Sequence, residues 1–155
     1  MATAEQRSRA QVYRDAAAEH TTAARELYEL GFYAQANYLA GLSVECILRA
    51  YRHMVDAEFD SRHDIDRLFK LAKFADVVPA GRGEELGALL GDIVMLWAND
   101  HRFLSTSALR RRWTTRRLYE GIRGDFVKER TRQLLNAATE LVNIGVVRWN
   151  SSFRN

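Results

Sequence analysis

The sequence predicts an all-α domain, a bundle of about five helices built on an antiparallel helical hairpin. Three observations point there. Helix breakers are scarce, with one proline (Pro79) and nine glycines in 155 residues. Apolar residues recur at three-and-four spacing along the longer segments, as in amphipathic helices. No stretch alternates β-branched and polar residues in the manner of a half-buried strand.

The first helix is expected over about 4–30, with Tyr13, Ala16, His20, Ala23 and Leu27 as its core stripe, and Gly31 ends it as a C-terminal cap. The second spans about 33–56. Between Tyr38 and Leu48 its only charge is Glu45, so it is apolar on every face and belongs in the centre. Gly41 and Ser43 suit close approach of a neighbour, and the short link at Gly31 and Phe32 folds the two helices into the hairpin.

Asp60 or Ser61 can cap a third helix over about 62–74, with Ile65, Leu68, Phe69 and Ala72 inward. The stretch 75–85, with Pro79, Gly81 and Gly83, reads as a loop, and a fourth helix follows over about 84–97. The segment 99–124 has helical fragments but no clean apolar stripe. The last helix is expected over about 125–148, burying Val127, Leu134, Leu135, Ala138, Leu141 and Val142.

Apolar types make up 47% and charged types 28%, close to the globular average, so the chain reads as one domain over 1–155 with loose ends at 1–4 and 150–155. Cys46 is the only cysteine, which excludes an intrachain disulfide. The polar N-terminus lacks the apolar stretch of a signal peptide, and no run of about 18 apolar residues exists to span a membrane. The expected location is the cytoplasm. No H-E-x-x-H, Cys/His cluster or phosphate-loop lysine pattern is present, so neither a metal nor a cofactor is expected.

The net charge of +3 is unevenly spread. Residues 100–132 carry ten Arg or Lys against four Asp or Glu, a local balance of +6, while the remainder sums to −3. Arg110, Arg111, Arg112, Arg116 and Arg117, with Trp113 and Tyr119 interleaved, form the strongest nucleic-acid feature, because arginine forks phosphate and stacks on bases. The competing reading is a solvated surface helix, or a dimer contact with Trp113 as its anchor. Arg102 followed by Phe103 suits a phosphate held beside a stacked base, and a role for Arg102 as the partner of Glu45 is the rival. Glu45 needs a partner if buried, and Arg49 stands at i+4 in the favourable orientation. His63 can bond near Glu45 or line a cleft, and Asp64 complements a helix start, completing a cap with Ser61.

Three segments in order resemble the HEPN superfamily of helical domains. These are 27–51 (LYELGFYAQANYLAGLSVECILRAY), 61–68 (SRHDIDRL) and 96–103 (LWANDHRF). The residues carrying the resemblance are Glu45, Arg49, His63, Asp64, Trp97 and Arg102, with Phe103 following. The resemblance implies a homodimerising bundle that binds RNA or a nucleotide. It also implies a place in toxin–antitoxin or defence systems, beside a small nucleotidyltransferase. Many such domains are metal-independent ribonucleases that use an Arg and a His four to six residues apart, the Arg steadying phosphate and the His moving a proton.

This chain departs from that pattern. None of its four histidines follows an Arg at that spacing near the last helix. The one formal match, Arg14 and His20, lies in the first helix, where six residues place the side chains about 120° apart and about 9 Å along the axis. The expectation is an RNA- or nucleotide-binding domain that has lost catalysis. The alternatives are a ribonuclease with a nonstandard proton carrier (Glu45, His63 or His101) and a protein-interaction module.

Overall fold

In the computed structural model, which describes residues 1–56, 63–77 and 81–153, the chain begins on a capped helix, α1 (Ala4–Glu29). Thr3 Oγ1 accepts the Gln6 N–H at 3.1 Å, and the Gln6 side chain accepts the Thr3 N–H at 2.8 Å. This reciprocal cap orders a terminus expected to be loose. The helix ends where Gly31 takes φ +82°, letting Phe32 N–H reach the Leu27 carbonyl and Gly31 N–H the Tyr28 carbonyl.

The buried seam of α1 is Ala10, Ala17 and Ala24, one residue every two turns. The expected stripe of Tyr13, Ala16, His20, Ala23 and Leu27 forms its half-buried shoulder instead. The reason is steric: only alanine lets α1 lie close against α2 (Tyr33–Val55), and larger side chains move to the rim. Tyr13 stacks there on His53 at 5.1 Å.

Helix α2 is central. It packs against α1, α3 (Ile65–Leu71), α6 (Phe126–Ser152) and a 3-10 turn at Asn99–Phe103. Its first turn has no side-chain cap, and Thr106 Oγ1 takes the Ala34 N–H at 3.3 Å instead. Gly41 admits the Trp97 indole, which any Cβ would overlap, while Trp97 donates to the Tyr38 carbonyl at 3.0 Å.

The third helix is described from Ile65, where Asp64 is the cap, accepting the Arg67 N–H at 2.9 Å. The expected caps Asp60 and Ser61, the start at Arg62 and the turn at Pro79 lie outside the described residues. The helix closes at Leu71, Lys73 follows at φ +53°, and a 3-10 turn covers Phe74–Val77. Helix α4 (Gly83–Leu96) lies within a residue of its expected place.

The basic stretch contains a complete helix, α5 (Thr106–Thr115), which makes six α-helices among the described residues and no strand. Ser105 caps it, and its Leu109 and Trp113 are fully buried. This corrects the reading of Trp113 as a surface anchor for a partner chain: the indole is already used by the core. Helix α6 begins at the Asp125 cap and buries the six residues expected of it. It continues through Ser152, past the expected end at 148. Trp149 is buried and bonds Gln11 at 3.2 Å, and Arg14 holds Asn150 at 2.9 Å. Those bonds from α1 order a segment expected to be loose. No described helix is long and apolar enough to cross a membrane.

Candidate functional site

Glu45 is 2% exposed at the middle of α2. Arg49, one turn on, donates from Nε to its Oε1 at 2.8 Å. His63 places Nδ1 at 2.8 and 3.0 Å from the two carboxylate oxygens. A carboxylate acceptor fixes Nδ1 as the protonated nitrogen, which leaves His63 Nε2 as the free one. The His63 side chain is 43% exposed and its backbone sits at φ +67°, a conformation uncommon for any residue but glycine. It lines a cleft of about 250 Å³ with Asp64, Asp66, Trp97 and Asn99.

Arg102, the rival partner for Glu45, does not approach it. The Asn99–Phe103 turn carries Arg102 outward, where its guanidinium lies 4.6 Å from the centroid of the Phe103 ring. Phe103 is 73% exposed. Preceding it, His101 turns inward and is buried. Its Nδ1 lies 2.7 Å from Asn37 Oδ1, and Asn37 spends its amide N–H on the Leu96 carbonyl at 3.2 Å. The Asn37 amide is thereby oriented with oxygen toward the ring, so His101 Nδ1 is the donor. The Ala98 N–H, 3.4 Å from the same nitrogen, is too distant to compete. Burial, then the charge of Arg112, pushes the His101 pKa down to about 4, with Arg116 adding to the shift and Asp100 opposing it.

His101 and Arg102 line a cleft of about 260 Å³ with Leu27, Gln35, Tyr38, Leu39 and Leu104. The stacked pair Tyr38 and Trp97, 6.3 Å between centroids, stands between this cleft and the one at His63. The two candidate histidines therefore serve different clefts. Asn37 and Gln35 are absent from the sequence-level candidates. The one available signal was Asn37, an amide on a helix face otherwise committed to burial.

The arginines of α5 and of the turn that follows it are largely engaged. Arg110 pairs with Asp125 at 3.1 Å and lies over Phe126, and Arg112 pairs with Asp100 at 2.8 Å. Arg116 donates to the Met95 carbonyl at 2.7 Å, satisfying the C-terminus of α4, and Arg117 pairs with Glu120. Arg111 is exposed and makes no hydrogen bond or ion pair among the described residues. The exposed ion pairs hold these side chains weakly, so an arriving phosphate can exchange for the carboxylate.

A family model, that of the HEPN domain, matches residues 10–149. The chain belongs to the HEPN family. No curated protein and no solved structure matches it significantly. Within this HEPN domain the motif residues divide by role. Glu45, Arg49 and His63 form one network, Asp64 caps α3, and Trp97 fills the notch at Gly41. Arg102 projects beside the other cleft without an ion pair among the described residues. Arg14 and His20, the formal match to the family's Arg–His spacing, do not converge, since the Arg14 guanidinium is taken up by Asp15 and Asn150. Cys46, buried beside the Glu45 network, has its thiol pushed up to about 12 by burial and then by the Glu45 charge, which disfavours the thiolate.

Proposed function

We propose that this HEPN domain binds single-stranded RNA on the face formed by the Asn99–Phe103 turn and α5, and that it does so without cleaving the strand. The observation that carries the proposal is the Arg102 and Phe103 pair. A ring 73% exposed, with a guanidinium 4.6 Å from its centroid, is a platform for a base beside a cation for phosphate. Arg111 and the exchangeable arginines of α5 extend the positive field around it. Lack of cleavage is supported by His101, the histidine adjoining Arg102. Its pKa near 4 leaves it neutral at pH 7 and a weak base. His63 lies beside Asp64 and Asp66, whose charge repels phosphate. Homodimerisation and a nucleotidyltransferase partner belong to the same proposal as family expectations.

One observation favours a second reading, a metal-independent ribonuclease. A buried carboxylate orienting an accessible imidazole, as Glu45 does His63, is the arrangement of a general base. One experiment separates the two readings. The protein is incubated with total tRNA and a labelled single strand, with EDTA, across a salt series. Binding that weakens steeply with salt and leaves the strand intact is the expected result, because phosphate contacts release counterions. EDTA-resistant cleavage lost in His63→Ala transfers the function to the second reading. Absence of binding at low salt overturns both.

A further inference from the structure

The cleft beside Arg102 is walled by Leu27, Tyr38, Leu39 and Leu104. Such walls accept a flat ring. At about 260 Å³ the cleft lies just below the size of drug-sized ligand pockets, which suits one ring system rather than two.

Its polar groups are few and distinct. Gln35 stands one turn before Leu39 on α2, exposed, and its amide has no partner among the described residues. It offers an acceptor oxygen beside an NH2 donor group, the side-by-side arrangement of a primary amide. His101 has its Nδ1–H committed to Asn37, so the remaining nitrogen of the neutral ring, Nε2, can only accept. Arg102 supplies positive charge at the rim. The cleft therefore presents one amide NH2 donor group and two acceptors, Gln35 Oε1 and His101 Nε2, beside a cation.

The Watson–Crick edge of guanine presents the inverse: one acceptor, O6, and two donors, N1–H and the N2 amine. Uracil, adenine and cytosine each offer a single donor on that edge. We propose that this cleft binds a guanine base, with the Gln35 amide donating to O6. Gln35 Oε1 and His101 Nε2 accept from N1–H and the N2 amine, and Arg102 holds the adjoining phosphate. The assignment rests on the nucleic-acid reading above. A free guanosine monophosphate and a guanosine within a single strand share this chemistry.

The test is fluorescence anisotropy of the full chain with a labelled oligo(U) strand and with the same strand carrying one central G, followed by competition with GMP, AMP, CMP, UMP and IMP. The G-containing strand is expected to bind about tenfold tighter, the size of one good base-edge contact pair. IMP, which lacks the N2 amine, is expected to compete several-fold less well than GMP. Gln35→Leu, an exposed substitution checked by an unchanged unfolding midpoint, is expected to abolish the preference for G. If GMP competes, the free nucleotide is a ligand. If GMP fails while the G strand keeps its advantage, the base is read within a strand, and either result supports the site. Equal, salt-sensitive binding of both strands, or a G preference that survives Gln35→Leu, overturns the guanine assignment and leaves RNA binding standing. If neither strand binds, both proposals fall.

Discussion

Asn37 Oδ1 accepts a hydrogen bond from His101 Nδ1 at 2.7 Å, joining the first turns of the central helix to a turn 64 residues later. Because the amide N–H of Asn37 is held by Leu96, the bond can form only with a neutral ring protonated on Nδ1 or with an imidazolium. Burial and the nearby Arg112 disfavour the imidazolium.

This makes stability depend on pH in a definite sense. The folded pKa, about 4, lies below the ordinary histidine value of 6.5, so the unfolded chain takes up the proton first as pH falls. The contribution of neutral His101 is complete above about pH 6.5. It declines by about 1.4 kcal/mol per pH unit down to the folded value, roughly 3 kcal/mol in all. Urea unfolding at pH 7 and pH 5 should show a larger loss in the wild type than in His101→Gln. Equal losses would mean that His101 is not the group responsible.

Glu45 and His63 differ in what their removal leaves behind. Glu45→Ala takes a buried carboxylate from two partners and should cost about 3 kcal/mol or more. His63→Ala removes a half-exposed ring and should cost less than about 1 kcal/mol. Denaturant midpoints with unchanged m-values are the measurement. A His63→Ala loss as large as that of Glu45→Ala would show that the imidazole is structural.

Two kinds of helical glycine should respond oppositely to alanine. A Cβ at Gly41 meets the Trp97 indole, itself pinned by its bond to Tyr38, and the overlap should cost about 1–3 kcal/mol. At Gly91, inside α4, a Cβ meets nothing within 4 Å, so Gly91→Ala should gain about 0.5–1 kcal/mol from helix propensity. Thermal melts of the two variants check the pair, and a destabilised Gly91→Ala would contradict the open surface there.

The proposed RNA-binding face predicts losses of affinity without losses of stability. Phe103→Ala removes one stacking platform and should weaken single-strand binding by about 1–3 kcal/mol at an unchanged melting temperature. Arg111→Ala should lower the salt slope by about one, as expected for one phosphate contact. Titrations across a salt series read both quantities, and wild-type affinity in Phe103→Ala would remove the stack from the proposal.

Much of this architecture is legible in one dimension because it is local. The αL turn at Gly31, the burial of every residue of 40–48 but Leu42, the partnership of Glu45 with Arg49 and the six inward residues of α6 all follow from helical spacing over a few turns. Helix α5 is not legible in the same way. Leu109 and Trp113 are two apolar positions among arginines, too few to form a stripe, and they are buried only because α2, α6 and the 99–103 turn, whose His101 ring lies 6.4 Å from that of Trp113, leave a hollow for them.

The sequence by itself therefore determined the helical class, the hairpin, the central helix and the membership in a family whose motifs it carries. Tertiary structure alone decided which arginines are spent on carboxylates and carbonyls and which stay open, and that Arg102 leaves Glu45 to His63. It also decided that His101 meets Asn37. The physical reason is range. Backbone periodicity specifies neighbours one turn away, whereas a contact between α2 and a distant turn depends on how several helices share one core, with Ala10, Ala17 and Ala24 setting how near α1 lies to α2 and Gly41 making room for Trp97.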